Sequence, residues 1–216
     1  MNNCRLCSDL RTQHEPWNEP LFESQNFVGL PSLGALVEGW LLLVPKEHFI
    51  CMGSLPKSVT SEMRDMKQEI CSTLEELYGP VCTFEHGPSR KDGSLGCGVD
   101  HAHLHVVPIT FDLHADVTPF LPSDVTWSTA GPEQCRYAFD QGKDYLYLEQ
   151  PIGRGRIATH DSFGSQLFRR AIATRIEEQD HFNWREFPIL QNVFATIKKV
   201  SAKRAVSLQM EAAVAA

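Results

Sequence analysis

The sequence predicts an α+β fold, and three observations carry that reading. Apolar runs of strand length recur along the chain, segments of helical periodicity lie between and after them, and glycine or proline punctuates the junctions. Residues 35–45 (ALVEGWLLLVP) read as a buried strand, ended by Pro45, which has no N–H to give a ladder. A helix follows. Val59, Met63, Met66, Ile70, Leu74 and Leu77 recur at steps of three and four, and Gly79-Pro80 stops it. Residues 81–86 form a second strand, residues 87–98 a glycine-rich loop, and residues 99–107 a third strand closed by Pro108. After an irregular stretch punctuated by Pro119, Pro122, Gly131 and Pro132, residues 145–148 are a strand and residues 153–155 a turn. Two helices complete the chain: one marked by Leu167, Phe168, Ala171, Ile172 and Ile176, and one over residues 189 to about 210.

The 216 residues suffice for one core, or one core with a large extension, but not for two average domains. Apolar and charged fractions of 42% and 22% are those of a globular chain rather than a disordered or coiled one. The longest apolar run, near Leu36 to Val44, falls short of the roughly 20 residues that span a bilayer. Arg5, Asp9 and two cysteines stand where a secretory signal would need apolar residues. A cytoplasmic protein with no membrane partner is expected. Seven cysteines, an odd number, read as reduced thiols and metal ligands rather than a disulfide framework. A net charge of -7 argues against binding nucleic-acid polymers, which takes a strong cationic field, yet leaves room for one small phosphate ester held by amides, His and Arg.

The third strand carries the chemistry. In Asp100-His101-Ala102-His103-Leu104-His105-Val106-Val107, histidines alternate with apolar residues, so a strand period of two puts all three imidazoles on one face. A neutral imidazole is nucleophilic near pH 7, and three in a line can take three roles. The alternative is a metal-binding or solvent-facing strand. The preceding run Gly93-Ser94-Leu95-Gly96-Cys97-Gly98 favours chemistry, because unblocked backbone N–H groups can cradle a phosphate.

His101 to Pro108 resembles the His-x-His-x-His-x-x signature of the histidine triad superfamily, and Val44-Pro45-Lys46-Glu47-His48 resembles the Pro-Lys-x-His turn upstream of it. The resemblance covers about the first half of the chain. It implies an antiparallel sheet with flanking helices, with residues 1–115 as the catalytic unit and residues 116–216 as a helical extension on the same core. It also implies a small-molecule nucleotide substrate, attacked at the α-phosphorus by His103 to give a nucleotidyl-histidine. His105 would then assist the leaving group, and Gly96, Gly98 and Val99 would line the oxyanion cradle. Homodimers are common in that superfamily, although the extension could cover the surface they use. Where the small hydrolases carry Ser, Thr or Gln before the motif, this chain has Gly98. Phe84-Glu85-His86-Gly87 resembles the Phe-Glu-Asn segment of the galactose-1-phosphate uridylyltransferase branch, which makes Glu85 a candidate substrate contact. That branch ends its motif in Gln, whereas this chain keeps His105.

Cys4-Arg-Leu-Cys7 has the spacing that lets two thiolates reach one zinc, but a lone CxxC is a weak signal. His48 and His101 sit where zinc-containing triad proteins place their remaining ligands, so the resemblance implies a closed, structural Cys2His2 site. His14 and His86 are alternative ligands. In the second half, Gln166 and Arg169, three apart, would share a helical face that could close over the site; solvated arginines are the bland alternative. Trp184, Arg185, Phe182 and Phe187 read as a packing cluster before a base-stacking patch. The reading is a nucleotide hydrolase or nucleotidyltransferase. Its alternatives are a phosphorylase or transferase using phosphate or a sugar phosphate, and a zinc-stapled binding module without turnover.

Overall fold

The computed structural model describes residues 4–12, 15–91 and 99–214. A short helix α1 (Arg5–Thr12) precedes strands β1 (Phe22–Glu23), β2 (Phe27–Pro31) and β3 (Leu41–Pro45). Helix α2 (Thr60–Tyr78) leads into β4 (Val81–Gly87) and β5 (Leu104–Pro108), followed by α3 (Leu113–Val117), β6 (Ser128–Thr129) and α4 (Pro132–Asp140). Strands β7 (Tyr145–Glu149) and β8 (Gly155–Thr159) and helices α5 (Leu167–Arg175) and α6 (Leu190–Val214) complete the chain. The strands form one sheet in the order β1-β2-β3-β5-β4-β7-β8-β6, antiparallel at each pairing. The α+β class with an antiparallel sheet and flanking helices is therefore present. No helix among the described residues is long and apolar enough to cross a membrane.

Both faces of the sheet are covered, which is why its central strands are buried at every position but Leu42, which is half-buried, instead of alternating. One face carries Leu41, Leu43, Leu104, Val106 and Tyr145, and packs on the α2 stripe of Met63, Met66, Ile70 and Leu74 and on Cys135 and Ala138 of α4. The other carries Cys82, Phe84, Val107, Leu146 and Leu148 under Trp40, α3 and the Phe168-Ile172 side of α5. Over β2 and β3, Leu6 and Leu10 of α1 rest on Val28, Leu30 and Val44.

Two expected strands are shorter than the sequence suggests. Of residues 35–45 only Leu41–Pro45 pair, because Gly34 and Gly39 take positive φ (69° and 86°) and turn the preceding segment. Of residues 99–107, pairing begins at Leu104, opposite Leu43. Continued register would set Ala102 against Pro45, which has no N–H to offer, and Ala102 N–H instead donates to the Phe49 carbonyl at 2.6 Å.

Gly87, at the end of β4, lies against a buried ring: a Cβ there would stand 2.0 Å from Tyr145 Cζ. Gly87→Ala should therefore destabilise the protein by about 1–3 kcal/mol or more through overpacking. Gly164→Ala, where the nearest atom would be 3.5 Å away, is the control. Thermal melts of the two variants check this, and equal melting temperatures would contradict the placement of Tyr145.

Candidate active site and metal centre

His105 stands on β5 across from Leu42 of β3 and Phe84 of β4. Phe84 stacks on its imidazole with centroids 4.6 Å apart, and the Trp40 indole N–H donates to His105 Nδ1 at 3.0 Å. That bond sets the tautomer, since a neutral ring accepting at Nδ1 carries its proton on Nε2. Burial, with His103, His86 and Arg169 as neighbours, holds His105 well below the ordinary histidine range, so it is neutral at pH 7. His103 has the opposite tautomer. Its Nδ1–H donates to the His101 carbonyl at 2.6 Å, leaving the lone pair on Nε2, and burial lowers its pKa against the effect of that bond. The His103 and His105 rings lie edge to face, 4.9 Å apart.

A space of about 70 Å³ opens beside these rings, walled by Val99, Trp17, Asn18, Trp184 and Arg169, and by Arg5, Leu6 and Asp9 of α1. Arg169 and Val99 are thus brought to the histidines. The solvated-arginine alternative fails for Arg169, which is buried. Its Nε donates to the Phe182 carbonyl at 2.9 Å, another guanidinium nitrogen donates to the Gly34 carbonyl, and the group lies 4.8 Å over Trp40. Arg170 is exposed and sits over Phe182. Trp184 does more than pack within its own cluster, because it lines the space and carries Arg5 4.8 Å over its ring. Gln166 is buried just before α5 in the left-handed region (φ 57°), so it does not extend the Arg169 face, and its amide reaches Asn183 at 3.4 Å. Gly96 and Gly98 lie outside the described residues, as does His14.

Glu85 is not brought to the triad. Strand alternation puts it on the opposite face from Phe84 and His105, where it accepts from Met52 N–H and Tyr145 O–H, each at 2.6 Å. The residue on the triad face is His86, which sequence reasoning placed only among alternative metal ligands. Both of its ring nitrogens are buried with no hydrogen-bond partner among the described residues. Burial, then His103 and Arg169, pushes its pKa down to about 3. A buried unpartnered imidazole is expensive, which makes His86 a candidate for contact with a ligand. Parity with Phe84 was the available signal, but which face meets the histidines is settled only by the pairing register. Trp40 was likewise read as one residue of a strand.

The four expected ligands converge. Cys4, Cys7, His48 and His101 place one sulfur or nitrogen each within 4.8 Å of one another. His101 Nδ1 is 3.4 Å from Cys4 Sγ and 3.3 Å from Cys7 Sγ, and His48 Nδ1 is 3.4 Å from Cys7 Sγ. Tetrahedral zinc with its usual bond lengths would set S and N about 3.6 Å apart, so the donor set fits the ion. His101 Nε2–H donates to the Pro45 carbonyl at 2.8 Å, which leaves Nδ1 as the coordinating nitrogen. Four protein donors leave no open position, so the ion's part would be structural.

The family described as "Protein similar to CwfJ C-terminal" matches residues 1–118, more than half of the chain. The chain belongs to this family. The part matching the CwfJ C-terminal description holds all four metal-site residues, the triad and His86, while Gln166 and Arg169 lie beyond it. No curated protein matches the chain. Among solved structures, a Zn-bound histidine triad family protein from Mycobacterium smegmatis is 21% identical, covering 64% of this chain and 94% of that one, at a TM-score of 0.40. A yeast Ap4A phosphorylase is 14% identical, covering 71% and 63%, at 0.42. A hypothetical histidine triad nucleotide-binding protein from Sulfolobus tokodaii is 17% identical, covering 50% and 70%, at 0.39.

Protein purified without chelators should carry about one zinc per chain by elemental analysis. Cys4→Ser with Cys7→Ser should lose the metal and melt at lower temperature, because ligand binding and folding are coupled here. Freshly purified protein free of zinc would refute the metal assignment, and zinc kept in His48→Ala would remove that residue alone from the ligand set.

Proposed function

We propose that the chain cleaves nucleoside phosphates at the α-phosphorus, with His103 as nucleophile and water as the preferred final acceptor. The observation that carries this reading is the opposed pair of tautomers. The His101 carbonyl holds the His103 proton on Nδ1 and leaves Nε2 as a lone pair, while Trp40 keeps the His105 proton on Nε2. One ring is thereby set to attack and its neighbour to donate.

In the first step the His103 Nε2 lone pair forms a bond to phosphorus and the bond from phosphorus to the leaving oxygen breaks. Charge developing on that oxygen is met by a hydrogen bond from His105 Nε2–H. His103 keeps its Nδ1 proton, so the adduct is an N-phosphorylated imidazolium. Water then attacks phosphorus, the P–N bond breaks, and His103 departs as a neutral imidazole while the water proton is lost to solvent. Arg169 lines the space together with Asn18 and Ser32, and a phosphate oxygen reaching His86 on the same face of the sheet would give its nitrogens a partner once one of them carries a proton toward it. The family resemblance to histidine triad enzymes supports this sequence of events. The departure of Glu85 to the other face removes the main argument for a uridylyltransferase-like acceptor.

The space beside the triad, about 70 Å³, is below the 300 Å³ or so of a usual small-molecule site. Substrate admission on this reading requires α1 and Trp184 to part. Cys7 of α1 belongs to the metal site and Leu6 and Leu10 pack on β2 and β3, so the movement falls to Trp184, whose cation–π contact with Arg5 is a weak tie. We also read residues 116–216 as an extension on the core of residues 1–115, on the ground that it supplies β7, β8 and Arg169.

Mass spectrometry of the intact protein with dinucleoside polyphosphates and nucleotide sugars tests the reading. Wild type should show a nucleotidyl adduct and His103→Ala none. His105→Ala should still form it, more slowly by ~10²–10⁴-fold, the range for a positioned proton donor. Equal adduct in wild type and His103→Ala would overturn the nucleophile. An isolated adduct that persists in water yet discharges to phosphate or a sugar phosphate would replace hydrolysis by transfer.

A further inference from the structure

On the face of the sheet opposite the triad, between α2 and α4, lies a cavity of about 450 Å³, over six times the space at His103 and His105. This volume falls in the range of small-molecule sites, roughly 300–1,000 Å³. Its walls include Met52, Met63 and Leu104, an adaptable apolar lining suited to a flat ring. Within it sits the Glu85 carboxyl, itself 2% exposed. One oxygen accepts from Met52 N–H and the other from Tyr145 O–H. A carboxylate can accept about four hydrogen bonds, so roughly half of that capacity remains for a ligand.

Cations complete the lining. Lys57 and Arg136 face the cavity, and neither makes an ion pair among the described residues; the Arg136 guanidinium donates instead to the Leu55 carbonyl. Glu133, also on the lining, pairs with neither. Neither cation is committed to a carboxylate of the lining, so both are open to the anionic end of a ligand. Lys67, by contrast, is committed to Glu149 at 2.7 Å.

We propose that this cavity is a second ligand site, taking a purine nucleoside monophosphate whose N–H edge donates to Glu85 and whose phosphate meets Lys57 and Arg136. The three requirements are an apolar planar body, donors at one end and an anion at the other. Guanosine monophosphate meets all of them, since its N1–H and N2–H2 form a paired donor edge for a carboxylate. Adenosine monophosphate presents a ring nitrogen lone pair at the same position, which only a protonated Glu85 can meet, so it should be disfavoured once the carboxyl is ionised. Burial raises Glu85 to about 7 against its two hydrogen bonds, so near neutral pH the ligand's donors would favour its ionised form. The inference does not rest on catalysis by His103.

The test is calorimetric titration of the full-length wild-type chain with guanosine monophosphate, with crystals soaked in the same probe. Density between Met63 and Leu104 is expected, with binding at least about tenfold weaker in Lys57→Glu, in Arg136→Glu and, at about pH 8.5 where Glu85 is ionised, for adenosine monophosphate, on the scale of one charge-assisted hydrogen bond. Lys57 is exposed, so its variant should fold normally and decide the matter even if Met63→Trp, designed to fill the cavity, does not. A guanosine monophosphate isotherm unchanged by both charge reversals, or density only beside His103, would overturn the second site while leaving the triad reading intact. Loss of the His103 adduct with intact binding here would do the reverse.

Discussion

The arrangement of the triad depends on the missing N–H of Pro45. Because β3 ends in a residue that cannot donate, the strand beside it leaves the ladder one residue before Leu104. That release lets His101 turn toward Cys4, Cys7 and His48 while its Nε2–H is satisfied by the Pro45 carbonyl. It also exposes the His101 carbonyl to His103 Nδ1. Had the strand continued in register, that carbonyl would have pointed along the hydrogen-bonding direction of the sheet, and His103 would have lost the partner that fixes its tautomer.

Desolvation then sets the electrostatics. His86, His103 and His105 are all shifted toward the neutral form, chiefly by burial, so the cluster holds imidazoles rather than imidazoliums. A row of imidazoliums would repel one another in a low-dielectric pocket and would lack the lone pair a nucleophile needs. Positive charge beside the histidines comes instead from Arg169, whose guanidinium stays ionised when buried and is held by the Phe182 and Gly34 carbonyls. The arrangement would let an acidic chain take the anionic substrate proposed for it, because the cation is local and enclosed.

How much of this was legible in the sequence follows from which interactions are local. The α2 stripe, the α5 and α6 segments and strands β4 and β7 were readable, since periodicity and glycine or proline boundaries act within a few residues. The metal ligands were readable only with the family resemblance, because residues 4, 7, 48 and 101 meet through the fold. Nonlocal facts stayed hidden. Glycine turns at Gly34 and Gly39 cut the first strand, since their positive φ answers to the Trp184 and Tyr78 side chains packed against them. The face taken by Glu85 rather than His86 depends on the pairing of Phe84 with His105. Arg169 looked like a surface cation because its carbonyl partners come from residues 34 and 182.

That same register gives β5 two duties. His105 faces the triad space and its neighbour Leu104 lines the cavity on the far side, so adjacent residues of one strand wall two separate volumes. A slip of one residue would exchange them, burying an imidazole in the Met-lined cavity and pointing leucine into the space beside His103. The packing of Leu104 against the α2 side of the core therefore fixes the position of His105 as surely as Trp40 and Phe84 do from the opposite side. Core and candidate site are held by one backbone, and a mutation that loosens Leu104 would act on the proposed reaction without touching any group assigned to it.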